Sequence, residues 1–339
     1  MTGVAAQNMA LCVHANLPFR AHRTEPSPSF VMHGSSHLAL YEEKAYDALL
    51  GLTPLVAGEI GKPLSASDIE YYLARLAAVG TSPSAILVEV PMRELGCTVP
   101  TWDELLELRA LATRYNVPLH LDGARLWEAS AYYEEVHGKT MADVCALFDS
   151  AYVSFYKGLG AISGAMLLGS EAFIARAKPW RRRLGANPFT LFPFALSSRL
   201  GFRKHVATFA ARRAKLRGLA PQLREAAAAE GGSLRIVPPE PQCCQCFVFL
   251  GRGCTAEALD AARDAVQEQL GLRVYGRLRG DPAFRSPATA DAEDGEGGAW
   301  EHYFEWTVGP AHTELDDAVF VEAWTAFFRA LRDGGSSID

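Results

Sequence analysis

The sequence predicts an α/β fold: a mostly parallel sheet with helices on both faces, followed by a smaller C-terminal α+β lobe. Two stretches carry that prediction. Val117-Pro-Leu-His-Leu-Asp-Gly-Ala-Arg125 and Tyr152-Val-Ser-Phe-Tyr-Lys-Gly-Leu-Gly160 are short apolar runs, each stopping at a charged residue beside glycine. A strand buried on both faces reads as a continuous apolar run, and open α/β sheets bind ligands at the carboxyl edge where such runs end. A helical interval separates the two, as a parallel crossover requires. Asp122 closes the first run and Lys157 the second.

The elements follow in order. Thr2-Gly3 leads into an amphipathic helix ending near His14. Ser65-Ala-Ser-Asp68 caps a helix over 65–78, and residues 85–90 are a strand. A helix over 102–115 precedes the strand over 117–122, completing a βαβ unit. Residues 127–133 and 141–148 are helical and lead to the Lys157 strand. A basic helix follows over 171–184, then a long helical stretch from 193 to about 229, which Gly231-Gly-Ser233 breaks. Strands over 234–237, 246–250, 272–275 and 303–308, with helices over 255–270 and 315–331, form the second lobe. Residues 288–298 are acidic and glycine-rich, the composition of a mobile loop. Residues 1–200 thus form a large domain, and 201–339 a small domain with its connecting helix.

At 339 residues the chain can bury a substantial core, and 49% hydrophobic with 21% charged residues is ordinary globular composition. A net charge of −6 offers no general attraction for nucleic acid or anionic membrane. No apolar run reaches the ~18 residues of a spanning helix, and no basic region precedes the first apolar stretch as in a secretory signal. The expected location is cytoplasmic. Cys243, Cys244 and Cys246 precede an apolar strand, and no histidine pair follows; free thiols in a reducing compartment fit better than a metal centre.

A lysine and an aspartate at neighbouring strand ends suit pyridoxal 5'-phosphate (PLP). That cofactor needs a lysine for its Schiff base and a carboxylate facing its pyridinium nitrogen. Burial lowers the lysine's pKa and frees its amine. The same two residues also suit a structural ion pair, and spacing alone leaves both readings open.

The wording around them resembles the threonine aldolase and β-eliminating lyase family of fold-type I PLP-dependent enzymes. His120-Leu-Asp-Gly-Ala-Arg125 followed by Lys157-Gly-Leu-Gly160 carries the resemblance. It continues through Gly164-Ala-Met-Leu-Leu-Gly169 and Trp180-Arg-Arg-Arg183, reaches back to His37 and Thr2-Gly3, and weakens after residue 200. It implies that Lys157 carries PLP and that Asp122 faces the ring nitrogen. It implies that His37, in the pattern His-x-x-x-aromatic-Glu with Tyr41 and Glu42, stacks on the ring; His33 competes for that place. Gly3 at the helix start would hold the phosphate, where unpaired N–H groups favour an anion. Arg182 would reach the phosphate across a dimer boundary, although Arg181 to Arg183 also read as a solvated charge run. Ser154 is a candidate phosphate or ring contact. Arg125 would bind the substrate carboxylate with its two-pronged donors, and Arg93 is an added candidate that could face substrate or solvent.

The pattern also departs from the family. Val4 stands where a hydroxyl residue is expected, and Met92 where the family has a second histidine. Gly185-Ala-Asn-Pro-Phe189 lacks an arginine, and Glu305 occupies a strand where the family places one. Family members carry a strand and helix before the phosphate turn, so the expectation is an N-terminally shortened form or a misassigned start. The expected activity is that of a PLP-dependent lyase on a small amino acid, most simply cleaving Cα–Cβ of a β-hydroxy amino acid to glycine and an aldehyde. A β-eliminating lyase and a non-catalytic relative remain as alternatives. The assembly implied is a homodimer or homotetramer, with no nucleic acid, membrane or metal.

Overall fold

The computed structural model describes residues 2–17, 27–280, 300 and 302–335. The chain divides into two compact units. One comprises Met1–Glu94 and Thr98–Phe209; the other comprises Leu95–Cys97 and Ala210–Asp339. The glycine-rich acidic stretch over 288–298 lies outside the described residues.

The first unit begins with α1 (Gly3–His14), β1 (Ser29–His33), the short α2 (His37–Leu40) and α3 (Ala45–Ala48), β2 (Thr53–Ala57), α4 (Ala66–Ala78) and β3 (Ile86–Glu89). It continues with α5 (Trp102–Arg114), β4 (Leu119–Gly123), α6 (Leu126–Tyr132), α7 (Met141–Ala146), β5 (Ser150–Ser154), β6 (Ala165–Gly169), α8 (Glu171–Arg183) and α9 (Phe192–His205). Helix starts are written in the sequence. Ser65 with Asp68, Thr101 with Glu104 and Thr140 with Asp143 each close a reciprocal capping box, worth about 1 kcal/mol apiece.

The sheet order is β2-β1-β3-β4-β5-β6, parallel throughout except for β6, which runs antiparallel to β5. Every residue of β3, β4 and β5 is buried, which explains their unbroken apolar reading. The order reverses direction at β1, so the carboxyl ends of β1, β3, β4 and β5 border one crevice. Ala6, Met9, Ala10 and Val13 of α1 share a core with Tyr152, Leu167 and Phe173. Gln7 reaches Asp122 at the end of β4, and His14 reaches Ser150 at the start of β5. Helix α1 therefore runs antiparallel to these strands and brings its N-terminus to the carboxyl edge of the sheet.

In the second unit, α10 (Phe209–Ala229, whose first residue belongs to the first unit) precedes β7 (Leu234–Val237), β8 (Gln245–Leu250), α11 (Ala256–Leu270), β9 (His302–Thr307), the short α12 (Pro310–Thr313) and α13 (Asp317–Gly335). The three strands form an antiparallel sheet in the order β7-β8-β9. Leu223, Val248, Leu259, Phe304, Trp324 and Phe327 are buried in its core.

Three sequence expectations change. Residues 272–275 are not a strand: Tyr275 turns its ring against Phe304 and its hydroxyl onto Asp260, and among the described residues of this segment it is Arg279 that bridges to β9. The helical stretch from 193 to 229 is two helices around a 3-10 turn at Val206–Thr208, where the Thr208 hydroxyl bonds back to His205 O. Strand β5 ends at Ser154, so Lys157 sits in the turn beyond it, which Gly160 N–H to Lys157 O (2.8 Å) and Ala161 N–H to Phe155 O (2.8 Å) close.

Candidate active site

Asp122 has no solvent exposure. Its Oδ2 accepts from Gln7 Nε2 at 2.7 Å and its Oδ1 from the Ala124 N–H at 3.1 Å. Burial raises its pKa, and Lys157, the Ala124 N–H, His37 and Gln7 pull it back. The amide oxygen of Gln7, Oε1, is buried without a hydrogen-bond partner among the described residues. Gly3, at the start of the same helix, meets Tyr152: a Cβ there would lie 2.2 Å from the Tyr152 hydroxyl. Only glycine lets α1 start this close to β5.

On the other side of Asp122 stands Glu89, its register partner on β3. The Glu89 carboxyl accepts from the His37 N–H at 2.9 Å and the Arg93 N–H at 3.0 Å. Burial first, and then the charge of Asp122, push its pKa up to about 7. Glu89 thereby pins the start of α2. His37 Nδ1 lies 2.8 Å from Glu42, and its ring packs on Tyr41 at 4.9 Å. His33 is committed elsewhere. Its Nδ1 accepts from the Ser35 N–H at 3.0 Å, so Nε2 carries the proton and donates to Glu59 O at 3.0 Å. Burial lowers the pKa of His33, which suits this neutral tautomer.

Lys157 is partly buried on the turn after β5, its Nζ 5.9 Å from the Tyr156 ring centre. Burial and the neighbouring Arg125 lower its pKa, while Asp122, Glu89 and Glu128 raise it. Ser154, two residues after Tyr152, donates its hydroxyl to Ala124 O at 2.6 Å, leaving only acceptor capacity for another group. Arg125 is half-buried at the head of α6, close enough in charge to affect both Lys157 and Glu128.

Arg93 is buried and ion-paired with the equally buried Glu94, and its guanidinium lies 5.0 Å from the Tyr41 ring centre. Its charge is thus matched within its own segment. Arg182 is exposed in the last turn of α8, lining a basic cavity of about 450 Å³ with Lys178, Pro179, Arg181 and Arg183. In the second unit, Glu305 pairs with Arg279 at 3.2 Å and accepts from Gln245 at 3.1 Å. Asp122, Lys157, Glu89, His37, Glu128 and Arg125 act on one another electrostatically, while Gln7 and Ser154 tie in by hydrogen bonds. Arg182 joins through none of these interactions. Sequence reading passed over Gln7, Glu89 and Glu128. Glu89 carried the same signal as Asp122, an apolar run stopping at an acid. Gln7 and Glu128 sit on helices, where only their burial marks them.

Among the described residues no helix is long and apolar enough to cross a membrane. A family model described as Beta-eliminating lyase matches residues 2–229. A putative L-allo-threonine aldolase from Listeria monocytogenes EGD-E superposes with a TM-score of 0.79 at 29% identity, over 97% of this chain and 80% of that one. An aldolase of Penicillium aethiopicum is 34% identical over 173 residues, 50% of this chain and 43% of the relative. An alanine racemase of Cochliobolus carbonum is 34% identical over 189 residues, 55% of this chain and 45% of the relative. The matched stretch thus spans less than half the length of these curated relatives. The family match extends from Thr2 at the cap of α1 to Ala229 at the end of α10, taking in every element that frames Asp122 and Lys157, and on it the chain belongs to the β-eliminating lyase family.

Proposed function

We propose that this chain is a PLP-dependent lyase that cleaves the Cα–Cβ bond of a β-hydroxy amino acid, giving glycine and an aldehyde. The observation that carries the reading is a buried, Gln7-held Asp122 beside a turn-borne Lys157 whose amine burial has made easier to deprotonate. The donor set fits the cofactor. Asp122 is an acceptor for a ring N–H, the start of α1 is a place for a phosphate, and Gln7 Oε1 is a buried acceptor still without a partner. When bound, PLP supplies an electron-withdrawing ring that stabilises the charge left as a bond to the amino acid's Cα breaks.

The chain's own residues then divide the work. Lys157 would hold the cofactor, and its amine, made easier to deprotonate by burial, would serve as a base. Asp122 keeps a ring nitrogen protonated. His37, carried at the start of α2 and braced by Glu42, would face the ring and take up the proton of the β-hydroxyl. Gly3 and the first N–H groups of α1 would hold the phosphate, with Arg182 reaching in from a neighbouring copy, while Ser154, its hydroxyl proton given to Ala124 O, has only an acceptor to offer a donor on the ring. Arg125 takes the substrate carboxylate. Arg93, neutralised by Glu94, supports Tyr41 and contributes less directly.

A second reading, β-elimination, is favoured by Met92. This side chain cannot join His37 in taking the β-hydroxyl proton that aldol cleavage releases, whereas elimination removes the Cα proton, a task for the Lys157 amine. The assembly we propose is a homodimer or homotetramer in the cytoplasm. Phe192, Leu196 and Leu200 support it: at i, i+4 and i+8 of α9 they form an apolar stripe, 66%, 57% and 68% exposed. The test is a visible spectrum of the purified chain with PLP, borohydride reduction and peptide mapping, then incubation with threonine, allo-threonine and a β-substituted alanine. Glycine with aldehyde supports the aldolase reading, and a keto acid with ammonia supports elimination. A reduced adduct on a lysine other than Lys157 overturns both.

A further inference from the structure

We infer that Glu128 is a positioning residue for Lys157, fixing the turn that carries the amine and offsetting the charge of Arg125 beside it. The inference rests on Lys157 being the reactive lysine.

Two loops are laced together here. One joins β4, the strand that bears Asp122, to α6; the other follows β5 and carries Lys157. Ser154 donates from its hydroxyl to Ala124 O at 2.6 Å. Trp127 donates from Nε1 to Ser154 O at 2.8 Å. The Gly158 N–H donates to Glu128 Oε1 at 2.8 Å. Trp127 and Glu128 are consecutive on α6, so one rigid helix grips the Lys157 segment on both sides of the lysine. The same helix starts directly after the strand that delivers Asp122, and it therefore sets the distance between the two groups.

The grip has no slack. A Cβ on Gly158 would lie 2.6 Å from Glu128 Oε1 and 2.8 Å from the Phe209 ring. A glutamine could supply the same acceptor without a buried charge, which is costly to desolvate. Glu128 is only 2% exposed, and its Oε2 has no hydrogen-bond partner among the described residues. The charged groups that act on Lys157 are Arg125, which disfavours its proton, and Asp122, Glu89 and Glu128, which favour it. Those acting on Glu128 are Arg125 and Lys157, together with the Gly158 N–H. Glu128 is therefore the carboxylate that touches the lysine's own turn and answers the adjacent arginine.

The test reads Lys157 directly. The full chain, freed of cofactor, is labelled with acetic anhydride across a pH series, and Lys157 acetylation is followed by peptide mapping. Glu128→Gln keeps an acceptor for Gly158 but removes the charge. We expect it to lower the pH of half-reaction by about one unit at an unchanged melting temperature. Glu128→Ala also releases the turn, and Lys157 should lose its distinct titration and approach that of surface lysines. A titration identical in the wild type and Glu128→Gln overturns the inference, and this variant decides alone if Glu128→Ala fails to fold. With PLP bound, the pH at which the cofactor's visible band changes should shift in the same direction in Glu128→Gln. If PLP instead maps to another lysine, the functional reading fails, while the acetylation series still decides the role of Glu128.

Discussion

Glu89 and Asp122 face each other in register at the carboxyl ends of adjacent parallel strands, two acids both shut away from water. Each raises the cost of the other's charge, and Asp122 has the better compensation: Gln7, the Ala124 N–H and Lys157. Glu89 has two backbone N–H groups and the field of His37, and is held at about 7. The pair can thus carry one full charge easily and the second only near neutrality.

Glu89→Gln should test this through stability. A carboxyl raised from 4.5 to about 7 holds its proton in the folded chain after the unfolded chain has lost it. Its contribution is therefore present below pH 4.5 and lost as pH rises towards 7, by roughly 2–3 kcal/mol. Urea unfolding of wild type and variant across pH 4.5–7.5 should show that this decline is missing from Glu89→Gln. Parallel curves would mean that Glu89 ionises normally.

The site was legible where chemistry sits at strand ends and obscure where it depends on packing. Asp122 and Lys157 stood out because buried strands stop visibly at a charged residue and a glycine. Strand β2 did not stand out that way, because it is a short edge strand with Pro54 inside it, Thr53 and Val56 exposed, and no charged residue closing it. The strand after Tyr152 read too long, since Phe155 and Tyr156 extend its apolar pattern although the backbone has already turned. Gln7 gave no signal because a glutamine on an alanine-rich helix normally faces water. Only the fold, by laying α1 across β4, turns it inward.

The half-buried His14 and the buried His120 should make the fold acid-sensitive. Both bond to Ser150 Oγ, at 2.7 and 2.8 Å, and burial lowers their pKa values from 6.5 to about 4 and about 3. The unfolded chain takes up these protons first, so stability falls as pH drops below 6.5. The slope is about 1.4 kcal/mol per pH unit for each histidine until its folded pKa is reached. His120→Asn keeps a polar group near Ser150 and should roughly halve that slope between pH 6.5 and 4. An unaltered slope would show that His120 already binds a proton in the folded chain.

Gly3→Ala should cost about 1–3 kcal/mol, because its Cβ collides with the Tyr152 hydroxyl and overpacks the start of α1. Adding Tyr152→Phe should recover part of that loss. Thermal melts of the two single variants and the double variant measure the coupling, and simple additivity would place the collision elsewhere.

Leu196→Glu combined with Leu200→Glu places two charges on the exposed stripe of α9. If this stripe meets a second copy, light scattering should show the wild-type assembly reduced to a smaller species with little change in the unit's own fold. A monomeric wild type would remove the homo-oligomer from the proposal.

Asp122→Asn separates a structural role from a chemical one. The carboxylate now accepts twice, from Gln7 Nε2 and from the Ala124 N–H. An asparagine amide can still accept from Ala124 through its oxygen, but it presents a donor towards Gln7. Gln7 can answer by turning its amide over, because its Oε1 has no partner among the described residues and would gain one. Removing a buried charge also lowers the desolvation cost. Folding should therefore survive, with a melting temperature equal to or above that of the wild type. What disappears is the negative charge that the proposal sets against a ring nitrogen, and turnover should drop by roughly 10²-fold or more while the lysine-bound absorbance persists. Gln7→Leu, which leaves Asp122 charged but short of one donor, should instead raise the pKa of Asp122 and move the lower limb of the pH–rate profile upward. Full turnover in Asp122→Asn would show that the charge is structural, and the role given to Asp122 would have to be withdrawn.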